Sequence, residues 1–250
     1  MKNIVLVYHH VAEYSGDDPF KDLYVSPRRF ERQLLNLVST GYKPLPLDRM
    51  IEAISSRSEM PGKTFCVTFD DACADFIENA LPLLEKHGIP ATVFVPTGFI
   101  GDRNRWDAGS AAKLSKIMSE SELRAAQAGN VTLGSHTHNH VHMVKQSAQT
   151  VKADLELSFR CLRDIYGVPA PALAFPFGAC NSAAVEMAEA AGFRGLCTLH
   201  RGVNTLKTPL SALRRYKMTD SGKSQYGTHL LRLFDAYRRL RSGMRRSSDK

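Results

Sequence analysis

The chain has 250 residues, enough for one large α/β domain or two small ones, with an ordinary globular composition. Its net charge of +8 is unevenly placed: Arg232 to Lys250 carry seven Arg or Lys against two Asp, a net +5, which leaves +3 for the other 231 residues. Basic character is therefore mostly a property of the tail, and without a reader motif beside it a nucleic-acid partner is not expected.

The five cysteines, at 66, 73, 161, 180 and 197, form no CxxC pair, and one is left over in any full pairing. Free thiols in a reducing compartment are the plain expectation. The apolar run Ile4 to Tyr8 is too short for a signal-peptide core, and no stretch approaches a membrane-spanning length. The expected location is cytoplasmic.

In chain order, Ile4–Tyr8 reads as a buried strand that delivers His9 and His10 to its carboxyl end. A polar loop follows, then Ser26-Pro27 as N-cap and first turn of a helix with Phe30, Leu34 and Leu37 on one face and Gly41 at its end. Tyr42–Leu45 is a minor strand, and Leu47–Ser55 a second helix. Thr64–Phe69 is a strand, Asp75–His87 a helix with Pro82 inside it, and Ala91–Val95 a strand rich in β-branched residues. Gly98 to Lys116 is irregular and holds the single tryptophan, Trp106; it is a lid or wall, or a helix with a weak pattern. Ser119-Glu120-Ser121-Glu122 is a capping box. A strand at Val131–Leu133, a helix at Ala148–Tyr166, a strand at Ala172–Phe175, a helix at Ser182–Ala191 and strands at Gly195–Thr198 and Leu213–Met218 complete the pass.

Strand, loop and helix alternate, which favours a mainly parallel sheet. About seven strands point to an α/β fold of the distorted (β/α)7 barrel type with incomplete closure. Residues 1–228 form this domain, and 229–250 are a basic C-terminal helix or tail. In that tail Leu230, Leu231, Leu233, Phe234, Tyr237 and Leu240 interleave with arginines. Such a pattern suits either a helix on an anionic membrane surface or a terminal helix packed on the domain.

The polar residues that stand out each follow an apolar run: His9, Asp70 and Asp71, His136 and His140, and the turn Pro176-Phe177-Gly178. In parallel α/β folds the carboxyl ends of the strands share one face, where ligands bind. Two adjacent carboxylates at a buried strand end need a metal, a proton or a substrate to offset their desolvation. Asp-Asp pairs also serve as caps, turns and magnesium sites. Two imidazoles and a carboxylate suit zinc with one position open for water, the second carboxylate then removing a proton.

Together, Thr68-Phe69-Asp70-Asp71, Gly134-Ser135-His136-Thr137-His138-Asn139-His140 and Phe175-Pro176-Phe177-Gly178 resemble the motifs of the polysaccharide deacetylase family, the carbohydrate esterases with a NodB-type domain. Gly192-Phe193, Gly202-Val203-Asn204 and Leu213-Arg214-Arg215 match looser features, and the exopolysaccharide N-deacetylase subgroup is the nearest. The resemblance implies metal-dependent removal of an N-acetyl group from an N-acetylated sugar in a glycan or glycan precursor. It implies one divalent ion, Zn2+, on Asp71, His136 and His140, with Asp70 as general base. Pro176, Phe177 and Gly178 would wall the substrate groove, with Trp106 beside them, and the Ala72 amide would hold the oxyanion.

Three positions depart from the pattern. The residue after Asp71 is Ala72 rather than glycine. The position of a base-orienting arginine is Ala174, and a late leucine-x-histidine acid motif is missing after Met218. His9 is then the candidate acid, or the partner of Asp70. Rival readings are an inactive, glycan-binding module and a hydrolase of another C–N amide bond in a small molecule.

Overall fold

The computed structural model describes residues 3–14, 19–60, 62–109 and 114–220. The tail from 229 lies outside them. β1 (Asn3–Tyr8) runs into a short β2 (His10–Val11), which pairs with β3 (Tyr24–Val25). Then come α1 (Pro27–Ser39), β4 (Lys43–Pro44), α2 (Leu47–Ser56) and β5 (Thr64–Phe69). α3 (Leu81–Lys86), β6 (Ala91–Val95), α4 (Glu120–Ala128) and β7 (Val131–Ser135) form the middle of the chain. α5 (Ala148–Arg160), β8 (Leu173–Ala174), α6 (Ser182–Ala190), β9 (Leu196–Cys197) and β10 (Tyr216–Lys217) complete it.

The main sheet is parallel, in the order β10-β1-β5-β6-β7-β8-β9, with β4 beside the start of β5. Seven strands curl toward a barrel, as expected. Closure is thin: β8, β9 and β10 are two residues each, and the seam is one parallel bridge, Cys197 to Leu213.

The period of two along each strand separates an inner from an outer layer. Inside, Val5, Cys66, Phe94, Ala174, Cys197 and Leu213 pack against Leu47, Met50, Ala53 and Ile54 of α2, which plugs the barrel. Outside, Leu6, Tyr8, Val67 and Phe69 pack under Phe30 and Leu34 of α1 and under Phe76. The bore is narrow, so Gly134 sits where any Cβ would lie 2.6 Å from the Phe94 ring. Following the inner parity toward the carboxyl ends leads from Val5 to His9, from Cys66 to Asp70, from Gly134 to His136 and from Leu213 to Arg215. The alternation that builds the core thus delivers four polar side chains to one mouth.

Three local expectations change. The helix read over Ala148–Tyr166 is α-helical to Arg160 and continues as a π-helical turn over Cys161–Ile165. Asp75–His87 is not one α-helix: Phe76–Ala80 is a π-helical turn before α3. Pro82 has no N–H to donate and its ring crowds the carbonyl four residues earlier, so regular α geometry breaks there. Ser26 occupies the N-cap of α1, but its hydroxyl donates to Asp220 Oδ1 at 2.7 Å instead of capping the helix. At α4 the capping box forms as read, between Ser119 and Glu122.

Candidate active site

β5 ends at Phe69, and the chain then turns through Asp71 (φ 70°) and Ala72 (φ 53°). This left-handed pair keeps at one mouth two carboxylates that adjacent extended residues would send to opposite faces. Thr137, His140 and Phe177 also have positive φ, so among the described residues five of the six non-glycine residues with this conformation lie in the site. Each costs on the order of 1 kcal/mol or more, which the surrounding packing must overcome.

Asp71 meets His136 and His140. Its Oδ1 lies 3.2 Å from both Nε2 atoms, and the three ligand atoms fall within 4.8 Å of one another. Oδ1 is buried yet makes no well-aligned hydrogen bond. His136 Nδ1 faces the Ala174 carbonyl at 2.8 Å, so it carries the proton and leaves Nε2 bare. Two imidazole nitrogens converging on a buried, orphaned carboxylate oxygen fit a cation. The donor set therefore suits the divalent ion.

The histidine loop is built by α5. Asp154, only 3% exposed, accepts from the backbone amides of His138 (2.8 Å) and Asn139 (2.9 Å) and from the Asn139 side chain (2.8 Å). Ser158 meets Ser135 Oγ at 2.7 Å, and that hydroxyl accepts from the Thr137 amide. His138 turns away from the ligand cluster to Thr97 Oγ1 at 2.9 Å. His142 stacks on Phe177, 5.4 Å between centroids.

Asp70 has a different neighbour. Both of its oxygens accept from Arg215, at 2.6 and 2.8 Å, and Arg215 is fully enclosed. The guanidinium also donates to Thr198 O and lies over the Phe94 ring. Burial alone would push the Asp70 carboxyl up; the charges of Arg215 and His136 and the Arg215 hydrogen bonds outweigh it and hold the carboxyl below its ordinary range. For Asp71 burial is again opposed, by His136 and His140, and the result lies well below the usual carboxylate value. Both aspartates are ionised at neutral pH.

The arginine expected at 174 is thus replaced in space. Ala174 leaves room in the bore, and the guanidinium arrives from the strand that closes the barrel. Its signal was present in the run Leu213–Met218: an inward Leu213 makes Arg215, not Arg214, the inward arginine. No hydrogen bond joins His9 to Asp70 among the described residues, so the partner of Asp70 is Arg215. Burial depresses His9 to about 4 despite the raising influence of Asp71 and Asp70, so it is neutral at pH 7.

The walls are aromatic. Trp106 stacks on His140 with centroids 4.0 Å apart and planes 18° apart, and Phe177 meets the same ring edge-on at 4.9 Å. Phe177 is 55% exposed, Pro176 is buried, and Gly178 (φ +66°) abuts Leu199. The described parts of the Gly98–Lys116 segment, 98–109 and 114–116, hold only short 3-10 turns at Thr97–Phe99 and Arg105–Asp107 between irregular stretches. They are pinned as a wall by the bridges Arg103 to Lys116 and Cys73 to Ile117. The Ala72 amide donates to no other described residue, while its carbonyl accepts from Met118.

A two-histidine, one-aspartate cation site with an ionised carboxylate beside it defines a metal-dependent hydrolase. A family profile described as polysaccharide deacetylase matches residues 57–196, more than half of the chain. The chain belongs to the polysaccharide deacetylase family. The poly-β-1,6-N-acetyl-D-glucosamine N-deacetylase of Staphylococcus aureus (strain MSSA476) is 27% identical over 210 residues, covering 76% of this chain and 70% of that protein. Two solved structures share the fold. IcaB from Ammonifex degensii has a TM-score of 0.75 at 24% identity, covering 88% of this chain and 93% of that one. The Streptococcus pyogenes deacetylase PplD, in complex with acetate, has a TM-score of 0.76 at 24% identity, covering 94% and 98%.

Proposed function

We propose that this enzyme hydrolyses the N-acetyl group of an N-acetylhexosamine in a glycan or glycan precursor. The observation that carries the reading is the pairing of the Asp71-His136-His140 cluster with an Asp70 held ionised by Arg215. Zn2+ is the ion this donor set favours, and when bound it supplies Lewis acidity toward the acetyl carbonyl and acidifies water.

The chain's own groups account for the protons. Asp70 accepts a proton from the attacking water, and the bidentate Arg215 fixes its orientation. The Ala72 amide donates to the oxyanion as the carbonyl carbon becomes tetrahedral. The proton accepted by Asp70 passes by way of His9, neutral at rest, to the departing nitrogen, which returns Asp70 to its ionised form. The C–N bond then breaks, leaving acetate and a free amine. Phe177, Pro176 and Gly178 on one side and Trp106 on the other hold the sugar. The paired Asp70 speaks against a catalytically silent module, which has no use for a buried base kept charged by a buried arginine.

Acetate release from N-acetylhexosamine oligomers, free and lipid-linked, with Zn2+ or Co2+ supplied, is the test. Turnover should collapse in Asp70→Asn while bound metal persists; unchanged turnover in that variant overturns the assignment of the base. Membrane contact through 229–250 rests on sequence alone and is tested by flotation of the full chain with anionic vesicles.

A further inference from the structure

The loop that carries Trp106 also carries Asp107, a carboxylate with no part in the cation cluster. It closes the short helical turn Arg105–Asp107. Asn104, 8% exposed, donates from Nδ2 to Asp107 Oδ2 at 2.7 Å. The same side chain accepts the Ser115 amide at Oδ1, which fixes its orientation, and Asn104 N donates to Ser115 O at 3.0 Å. One carboxylate oxygen is thereby clamped, and the other makes no bond to any described residue. Burial, then the charge of Asp71, push the Asp107 carboxyl up, against the lowering pull of the Asn104 hydrogen bond. Its neighbour Trp106 lies flat on His140.

An aromatic face beside a rigidly held carboxylate is a pairing that suits a sugar. The ring takes the C–H face, and the carboxylate accepts from a hydroxyl. We propose that Asp107 is a substrate-binding residue that accepts a hydrogen bond from the ring hydroxyl adjacent to the acetamido group. It sets the register of the sugar over the cluster and selects glycans in which that hydroxyl is free. A 3-O-substituted N-acetylhexosamine lacks this donor, and one whose substituent carries a carboxylate adds repulsion. The inference rests on the N-deacetylase reading for its substrate class, but its test does not require turnover.

Trp106 is the single tryptophan of the chain, so its fluorescence reports occupancy of this wall. The full-length, Zn2+-loaded protein is titrated with a β-linked N-acetylglucosamine trimer and with its 3-O-methylated form. Asp107→Asn is the informative variant. It can still accept from Asn104 through its own amide oxygen, but it turns the free acceptor into a donor. The expected result is a saturable signal for the parent, and a midpoint raised about tenfold in Asp107→Asn and Asp107→Ala at unchanged metal content. Methylation should weaken the parent similarly, and the two losses should not add. Parent-like binding by Asp107→Asn, additive losses, or no saturable signal from the parent each overturn the proposal. Binding with the expected pattern but without acetate release upholds Asp107 and refutes the deacetylase reading instead.

Discussion

Arg215 grips both oxygens of Asp70 across 145 residues of chain, and both side chains are buried. Removing one partner leaves a charge without its counter-ion in the bore. Arg215→Met should cost about 3–5 kcal/mol in urea unfolding. Adding Asp70→Asn should restore part of that loss, because the orphaned charge is then gone. A loss below about 1 kcal/mol in the single variant would place the pair in contact with solvent.

The histidines of the motif have different work. His136→Ala removes a ligand and should yield protein without bound Zn2+ after gel filtration. His138→Ala, whose ring serves Thr97, should keep its metal. Elemental analysis decides, and equal loss in both would mean that the wrong histidines were assigned.

Asp154 supports the loop through its backbone amides and makes no hydrogen bond to His136 or His140. In Asp154→Ala the amides of His138 and Asn139 lose their acceptor, a cost of about 3 kcal/mol. The Zn2+ dissociation constant should rise by about 10–100-fold. Chelator competition measures this. Metal affinity equal to the parent's would confine Asp154 to packing α5.

His9 makes acid stability readable. Its folded value of about 4 lies below the ordinary 6.5, so it stabilises the fold above pH 6.5 and that contribution is lost progressively as pH falls to about 4. His136 is displaced the other way, through Asp70 and Asp71, but it is common to both proteins compared. Chelated His9→Gln should therefore lose less stability between pH 6.5 and 4 than the chelated parent. Parallel urea-midpoint curves would show that His9 is not desolvated.

Much of the site was legible because the Asp70-Asp71 pair and the His136–His140 cluster come just after the strands β5 and β7, and a parallel sheet collects those ends. The rest depended on distance. Asp154 reads as one acid on a helix face shared with Val151, Leu155 and Ser158, and only the fold shows two loop amides above it. Ser26 carries a correct local cap signal that Asp220, 194 residues on, outcompetes. Pro82 stood in plain view, yet a propensity argument says only that the helix is disturbed, and the π-helical form over Phe76–Ala80 is seen only in the fold.

The seam between β9 and β10 has a bearing on biogenesis. The arginine that neutralises Asp70, the proposed base, enters just before β10, the last strand among the described residues. A nascent or clipped chain ending before Leu213 could assemble both motif-bearing strands and all three metal ligands, yet its Asp70 would lack a counter-ion. Catalytic competence is in this way made contingent on a completed polypeptide: the segment that shuts the ring also arms it.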